Sequence, residues 1–434
     1  MATHLTRTSS SSPTGTTTWT YSAWIKKGVE TPSASQKFFS AGSSSSDRTE
    51  FYFGTDGSFN IYKDVSGSSA NLASTRLFRD PSAWYHFVVQ NNNGTVTVYV
   101  NNETVSLSGS NLGTNKINNA STAHYIGQQV AGGQFFDGYM SHVAFVDGSI
   151  VAPTVFGETD STSGIWKFKS PSGVTWGNNG FHLKFENSGA LGTDSSGNSN
   201  TFTVNGNLKQ ALDTPSDSYA TLNGAFNLSD NVLSYGNNKA LNSNANWKYV
   251  PATLGVESGK WYAEYKVNKS SGYIMNGVVD MAYATSQDKN SYTHSGAGTG
   301  SVSIYSDSGE KYIAGSNTTY AGTYTTNDII GVALDMDNSK VYFSKNGAWA
   351  NGSGGWGSST FDAAVGAISL PTTGTYTFAV SQRSGAYNEV NFGNGLFGIT
   401  AISSAGSNGN GSSFEYDVPS GFYALNTKNI NTYG

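Results

Sequence analysis

The sequence predicts an all-β protein of more than one domain, and three observations carry that expectation. Only 12% of its 434 residues are charged and 52 are glycine, against about 25% charged in an ordinary soluble domain. Such polarity alone would suit disorder, but 25 Tyr, 23 Phe and 9 Trp raise the aromatic share to 13%, and aromatics interleaved with β-branched residues favour pleated surfaces. Short apolar segments alternate with polar ones at a period of two and are punctuated by Gly, Asn, Asp and Ser. The length exceeds one ordinary sandwich and suits two or three domains.

The first block runs over residues 1–160. Trp19-Thr-Tyr-Ser-Ala-Trp-Ile25 alternates cleanly and places Trp19, Tyr21 and Ala23 on one face. Phe51-Tyr-Phe53 and Ser58-Phe-Asn-Ile-Tyr62 flank Gly54-Thr-Asp-Gly57, a hairpin signal; Trp84 to Gln90 and Thr95 to Val100 flank Asn91-Asn-Asn-Gly94, another. His124-Tyr-Ile-Gly127 and Phe136-Asp-Gly-Tyr-Met-Ser-His-Val-Ala-Phe145 follow. The order of these motifs over about residues 15–150 resembles a laminin-G/concanavalin-like jelly roll.

Residues 161–225 read as a small β-rich connector. Two short apolar runs, Phe181 to Phe185 and Phe202 to Val204, sit among Gly, Asn, Ser and Asp, which is strands separated by tight turns. Gly164-Ile-Trp, Trp176-Gly-Asn-Asn-Gly and Asp213-Thr-Pro-Ser-Asp-Ser-Tyr-Ala-Thr-Leu-Asn223 complete it. This junction resembles one recurring in virion proteins of tailed bacteriophages, especially marine ones. The resemblance implies a structural component on the virion exterior (fibre, tail tip or capsid decoration), made in the host cytoplasm. Its implied partners are other virion subunits, copies of itself, and a glycan or protein of the host surface.

The third block, 226–400, contains Gly259-Lys-Trp-Tyr-Ala-Glu-Tyr-Lys-Val267, Asp328-Ile-Ile-Gly-Val-Ala-Leu-Asp335, Val341-Tyr-Phe-Ser-Lys-Asn-Gly347 and Val390-Asn-Phe-Gly393. In order and spacing these resemble the SPRY domain, a bent β-sandwich that binds partners through loops. The tail, 401–434, is a glycine-rich loop (Ala405 to Ser413) and a β segment from Phe414 to Asn426. The expected architecture is therefore two tandem antiparallel β-sandwiches joined by a small β connector. No internal repeat is evident, which disfavours solenoids and propellers.

Net charge is −5 with no basic run, which argues against nucleic acid and anionic membranes as partners. No apolar stretch approaches the ~18 residues of a membrane span, and Met1-Ala-Thr-His-Leu-Thr-Arg-Thr lacks the apolar core of a signal peptide. Cysteine is absent, so disulfides, thiolate metal sites and cysteine nucleophiles are excluded. Asn93-Gly-Thr95 and Asn317-Thr-Thr319 match glycosylation sequons, as chance allows in an Asn/Ser/Thr-rich chain.

Catalytic patterns are sparse, and the expectation is a non-enzyme with no cofactor. Asp335 and Asp337 alternate as glucanase carboxylates do, but the strand ends there and Asp337-Asn338 reads as a hairpin tip. Glu186, Glu264 and Glu389 each stand alone. The histidines at 4, 86, 124, 142, 182 and 294 show no His-x-x-x-His spacing. The rival expectation is a polysaccharide depolymerase or glucanase on the concanavalin-like fold. Asp194, Ser196 and Asn198 echo the first half of a calcium loop, but Asn205 stands where its bidentate Glu belongs, and an Asx-rich turn explains the same residues. Asp47 and Asp56 are too weakly patterned to assign as calcium ligands. The foremost ligand-binding candidate is the loop Trp349-Ala-Asn-Gly-Ser-Gly-Gly-Trp356, whose two indoles could stack on sugar faces or fold inward as core. Tyr292, Tyr305, Tyr320 and Tyr324 lie in neighbouring loops and would extend that surface.

Overall fold

The computed structural model describes residues 3–30, 32–226, 231–269, 272–286 and 298–434. The chain divides into two compact units, Met1–Gln210 and Ala211–Gly434. Both are antiparallel sandwiches, as the alternation predicts.

In the first unit, a seven-stranded sheet runs in the order Thr203–Asn205, His4–Thr8, Ala123–Ile126, Gln36–Ser44, Asp47–Phe53, Ser58–Val65, Ser68–Leu77. A six-stranded sheet runs Phe181–Leu183, Gly138–Asp147, Thr18–Lys27, Trp84–Asn92, Thr95–Val100, Glu103–Val105. Trp19, Tyr21, Ala23 and Ile25 all point into the shared core, where the Tyr21 ring stacks on Phe39 at 4.6 Å. Trp24, out of phase, lies on the opposite face and stacks on His86. Both expected hairpins form. In the second, Asn92 pairs with Thr95, leaving a two-residue loop with Asn93 at φ 53° and Gly94 at φ 92°. That is the left-handed pair a type I′ turn needs, and Asn-Gly supplies it with least strain.

The second unit holds a nine-stranded sheet whose main path is Asn231–Ser234, Lys239–Asn242, Ala386–Asn391, Lys260–Asn268, Ile329–Asp335, Lys340–Lys345, Ala348–Trp349. Its six-stranded partner runs Lys248–Pro251, Tyr376–Arg383, Tyr273–Asp280, Ser301–Tyr305, Lys311–Ile313, Ser316–Thr318. The main core contains Trp261, Tyr265, Ile274, Val302, Ile304, Phe343, Phe378 and Val380. A second apolar layer joins alternate residues of the same strands, such as Tyr262, Ala333 and Tyr342, to Phe414 and Phe422 of the C-terminal tail.

The connector expected over 161–225 is not a unit of its own. Phe181–Leu183 pairs with Gly138–Asp147, and Thr203–Asn205 pairs with His4–Thr8, so each extends one sheet of the first sandwich. Strands this short bury too little to stand alone, whereas Phe181, Leu183 and Phe202 join the core of the first unit. Tyr219, Ala220 and Leu222 are instead buried in the second unit. The tail also differs from a simple β segment. Tyr423–Ala424 pairs in parallel with Lys260–Asn268, and a helix follows at Thr427–Tyr433, with the Asn426 side chain capping Asn429 N–H at 2.7 Å.

Candidate functional site

The loop candidates separate once folded. Trp349 is buried, with its ring 4.9 Å from Phe361 in an edge-on contact. Tyr320 and Tyr324 are core residues as well. The Tyr320 hydroxyl donates to the Gly366 carbonyl at 2.6 Å, and that of Tyr324 to Ile304 at 2.8 Å. These three cannot form a surface: Trp349 is packed in the second apolar layer, and Tyr320 and Tyr324 fill the main core with their hydroxyls already used. Trp356 remains half-buried, its N–H donating to Thr323 O at 3.3 Å and Lys345 Nζ lying 5.6 Å over its ring. It packs against the main core while Trp349 belongs to the other layer, so the two indoles do not face one ligand. Tyr292 lies outside the described residues.

Tyr305 finds different company. It ends the strand Ser301–Tyr305, one residue past core Ile304, so alternation sends it to the outer face of the six-stranded sheet. Tyr273, just before core Ile274, and Arg383, past core Val380 by three, share that face. The register sets Tyr273 opposite Arg383, Met275 opposite Tyr305, and Ser303 opposite Tyr312. Trp247 enters from just before Lys248–Pro251. The outcome is a half-buried cluster of Trp247, Tyr273, Tyr305, Tyr312 and Arg383. Ring centroids are 5.9 Å apart for Trp247–Tyr305, 6.2 Å for Tyr273–Tyr305 and 6.1 Å for Tyr305–Tyr312. The Arg383 guanidinium lies over Tyr273 at 4.4 Å and over Trp247 at 5.0 Å. Burial first, then the Asp307 carboxylate, push the Tyr305 hydroxyl up to about 12, which keeps it a hydrogen-bond donor at neutral pH. Sequence reasoning missed Trp247, Tyr273, Tyr312 and Arg383. Their signal was phase: Tyr273 and Tyr305 each adjoin an Ile that belongs to the core and must therefore face the other way.

The groups that resemble catalytic or metal-binding parts are engaged otherwise. Ser22 Oγ and His86 Nε2 are 2.8 Å apart and buried, a contact that invites a nucleophile–base reading. The Trp166 indole N–H, however, donates to His86 Nδ1 at 3.0 Å. Indole is only a donor, so neutral His86 carries its proton on Nε2 and gives it to Ser22; it has no lone pair there to take the serine proton. Burial lowers this ring to about 3. His142 and His182 stand 3.3 Å apart, His142 flat on Phe168 at 3.5 Å and His182 stacked with Trp176. His142 occupies the bulge between Ser141 and Ala144 at φ 48°. Asp194 closes a turn: Oδ1 accepts the N–H groups of His182 and Ser196, and Oδ2 accepts the Ser196 hydroxyl and Asn200 N–H, all at 2.8–2.9 Å. Asn198 donates to the carbonyls of Gly177 and Gly180. With the acceptor oxygens of Asp194 turned to protein donors, the loop is built as a turn and not as a cation cage. No cluster of three or more metal-ligating side chains occurs among the described residues.

Asp335 and Asp337 shape the hairpin as expected. Asp335 accepts from Lys260 Nζ at 2.7 Å and from Asn338 N–H at 3.0 Å; Asp337 accepts Gly259 N–H at 2.7 Å. Glu264 is fully buried. It accepts the N–H groups of Glu415 and Tyr416 at 2.8 and 2.9 Å and the Tyr262 hydroxyl at 3.2 Å, clasping the tail to the sandwich. Burial pushes it up to about 8 against the pull of those three donors.

Comparison with known proteins agrees with this architecture. Residues 3–156 match a family described as the concanavalin A-like lectin/glucanases superfamily, and residues 260–369 match the SPRY domain. No curated protein sequence matches the chain. Among solved structures, the SPRY domain of human HERC1 is similar at 18% identity over 37% of this chain and 91% of its own, with a TM-score of 0.28. A heptameric SAP-like pentraxin from Limulus polyphemus is similar at 20% identity over 35% of this chain and 72% of its own, TM-score 0.28. The TRIM65 PSpry domain gives 13% identity over 40% and 89%, TM-score 0.31. The chain thus carries a concanavalin A-like domain followed by a SPRY domain.

Proposed function

We propose that this protein is a non-catalytic recognition component on the exterior of a tailed-phage particle, present there in several copies, and that its SPRY unit binds glycan on the host surface. The observation that carries the recognition part is the cluster of Trp247, Tyr273, Tyr305, Tyr312 and Arg383. Half-exposed aromatics offer apolar faces to sugar rings, and their hydroxyl and N–H groups suit a wet interface. Tyr273, Tyr305, Tyr312 and Arg383 stand on strands, with Trp247 just before one, so the site is pre-organised. The virion setting rests on the resemblance of the 161–225 segment to phage proteins.

The depolymerase alternative has less support, since Asp335, Asp337, Glu264 and the Ser22–His86 pair all serve internal contacts. Incubation with host envelope polysaccharide separates the two readings. Retention of the protein on intact chains is the expected result; shortened chains mark an enzyme, and no retention removes the glycan reading.

A further inference from the structure

The Arg383 guanidinium is half-buried, and its Nε is buried without a hydrogen-bond acceptor. Among the described residues no carboxylate forms an ion pair with it. Of the described acids near this face, Asp307 pairs with Lys269 and accepts from Ser306, and Glu310 accepts from Ser308 at 2.8 Å. Trp247 and Tyr273 hold the cation through their rings, which offer no lone pair to its N–H edge. A guanidinium presents a planar fork of donors matched to a carboxylate, and a buried N–H left without an acceptor, as Arg383 Nε is, is costly to keep. Sheet register further gives the patch a polarity. Arg383 and Trp247 mark one end, while Tyr312, on the strand that begins just after Glu310 and with its hydroxyl raised by burial first and then by that carboxylate, marks the other.

We infer that the Arg383 end of this patch reads an acidic sugar, a residue whose carboxylate meets the guanidinium fork while its ring face stacks on Trp247 or Tyr273. The inference rests on the glycan reading above and narrows it to one class, uronate- or sialate-type glycans. The acid end of the ligand is set at Arg383, and neutral units extend toward Tyr305 and Tyr312, away from the Glu310 charge.

The test uses the full chain on an array of oligosaccharides presented in matched pairs, each acidic member beside its carboxyl-reduced form. Wild type should bind acidic members more tightly than their reduced partners by roughly ten- to a hundredfold, the worth of a charge-assisted hydrogen-bonded contact. Arg383→Gln should erase that preference, and Arg383→Lys should keep part of it. Trp247→Ala should weaken both members of each pair alike. Equal binding of paired members by wild type overturns the acidic-sugar inference and leaves the glycan reading standing. Failure to bind any member overturns both. The wild-type comparison needs no variant, so a poorly folding substitution cannot obscure the outcome. Loss of acid preference in Arg383→Gln with an unchanged melting temperature rules out a folding effect.

Discussion

Trp349 and Trp356 flank one glycine-rich loop and end on different faces of the same sheet. Trp349 faces Tyr262 and Phe361 in the outer layer, whereas Trp356 covers Gly322, where a Cβ would stand 2.9 Å from the indole. Trp349→Ala should therefore cost about 3–5 kcal/mol, as truncation of a buried Trp does. Trp356→Ala should cost clearly less, since its side chain is only half-buried; chemical denaturation of the two variants reads the difference. Equal losses would show that the half-exposed indole is as deeply anchored as its neighbour. Glu264 makes the same point for a polar group. Both of its oxygens receive backbone N–H groups, so Glu264→Leu would leave the Glu415 and Tyr416 N–H groups without an acceptor. The expected loss is about 1–3 kcal/mol, the cost of a buried unsatisfied donor. Limited proteolysis should then cut first near Glu415, where the clasp is lost; unchanged protection there would mean the tail is held by Phe414 and Phe422 alone.

Strands were legible because their signals are local. Alternation in Thr18–Lys27 and the Asn93-Gly94 pair each specify geometry within a few residues, and both appear as expected. Edge membership is not local. Nothing within Phe181–Leu183 or Thr203–Asn205 reveals that their partners are Gly138–Asp147 and His4–Thr8, the second a pairing across most of the unit. Trp349, Tyr320 and Tyr324 turned inward for a related reason: aromatic identity was visible, but the face was not, whereas for Tyr305 and Tyr273 the neighbouring core Ile residues fix the phase. One prediction belongs to these edges. A fragment of residues 1–160 lacks both strands and leaves Val143 and Phe145 without Phe181, Leu183 and Phe202. A fragment of residues 1–210 keeps them. The shorter fragment should melt well below the longer one or fail to fold cooperatively. Matching melting curves would show that the added strands are ornament to a sandwich already complete without them.

The two units titrate in opposite directions, which makes pH a probe of the molecule as a whole. In the first, burial lowers His86 to about 3, His124 to about 4, His142 to about 3 and His182 to about 4. Each is neutral when folded and protonates near 6.5 when unfolded. Between those values the unfolded chain binds more protons, so the stability of this unit falls as pH drops below about 6.5. A fully buried ring such as His86 contributes up to about 2 kcal/mol of loss by pH 5. In the second unit Glu264 is raised to about 8, and burial raises Glu389 in the same direction. Here the folded state binds the extra proton between roughly 4.5 and 8, so acidification over that window stabilises it. Calorimetry from pH 7.5 to pH 5 should accordingly show one transition moving down and another holding or moving up. Glu264→Gln, which removes the titrating carboxyl, should flatten the second transition's pH response while the first continues to fall. If both transitions fall together and Glu264→Gln changes neither slope, the buried carboxyl is already ionised in the folded protein, held so by the Glu415, Tyr416 and Tyr262 donors.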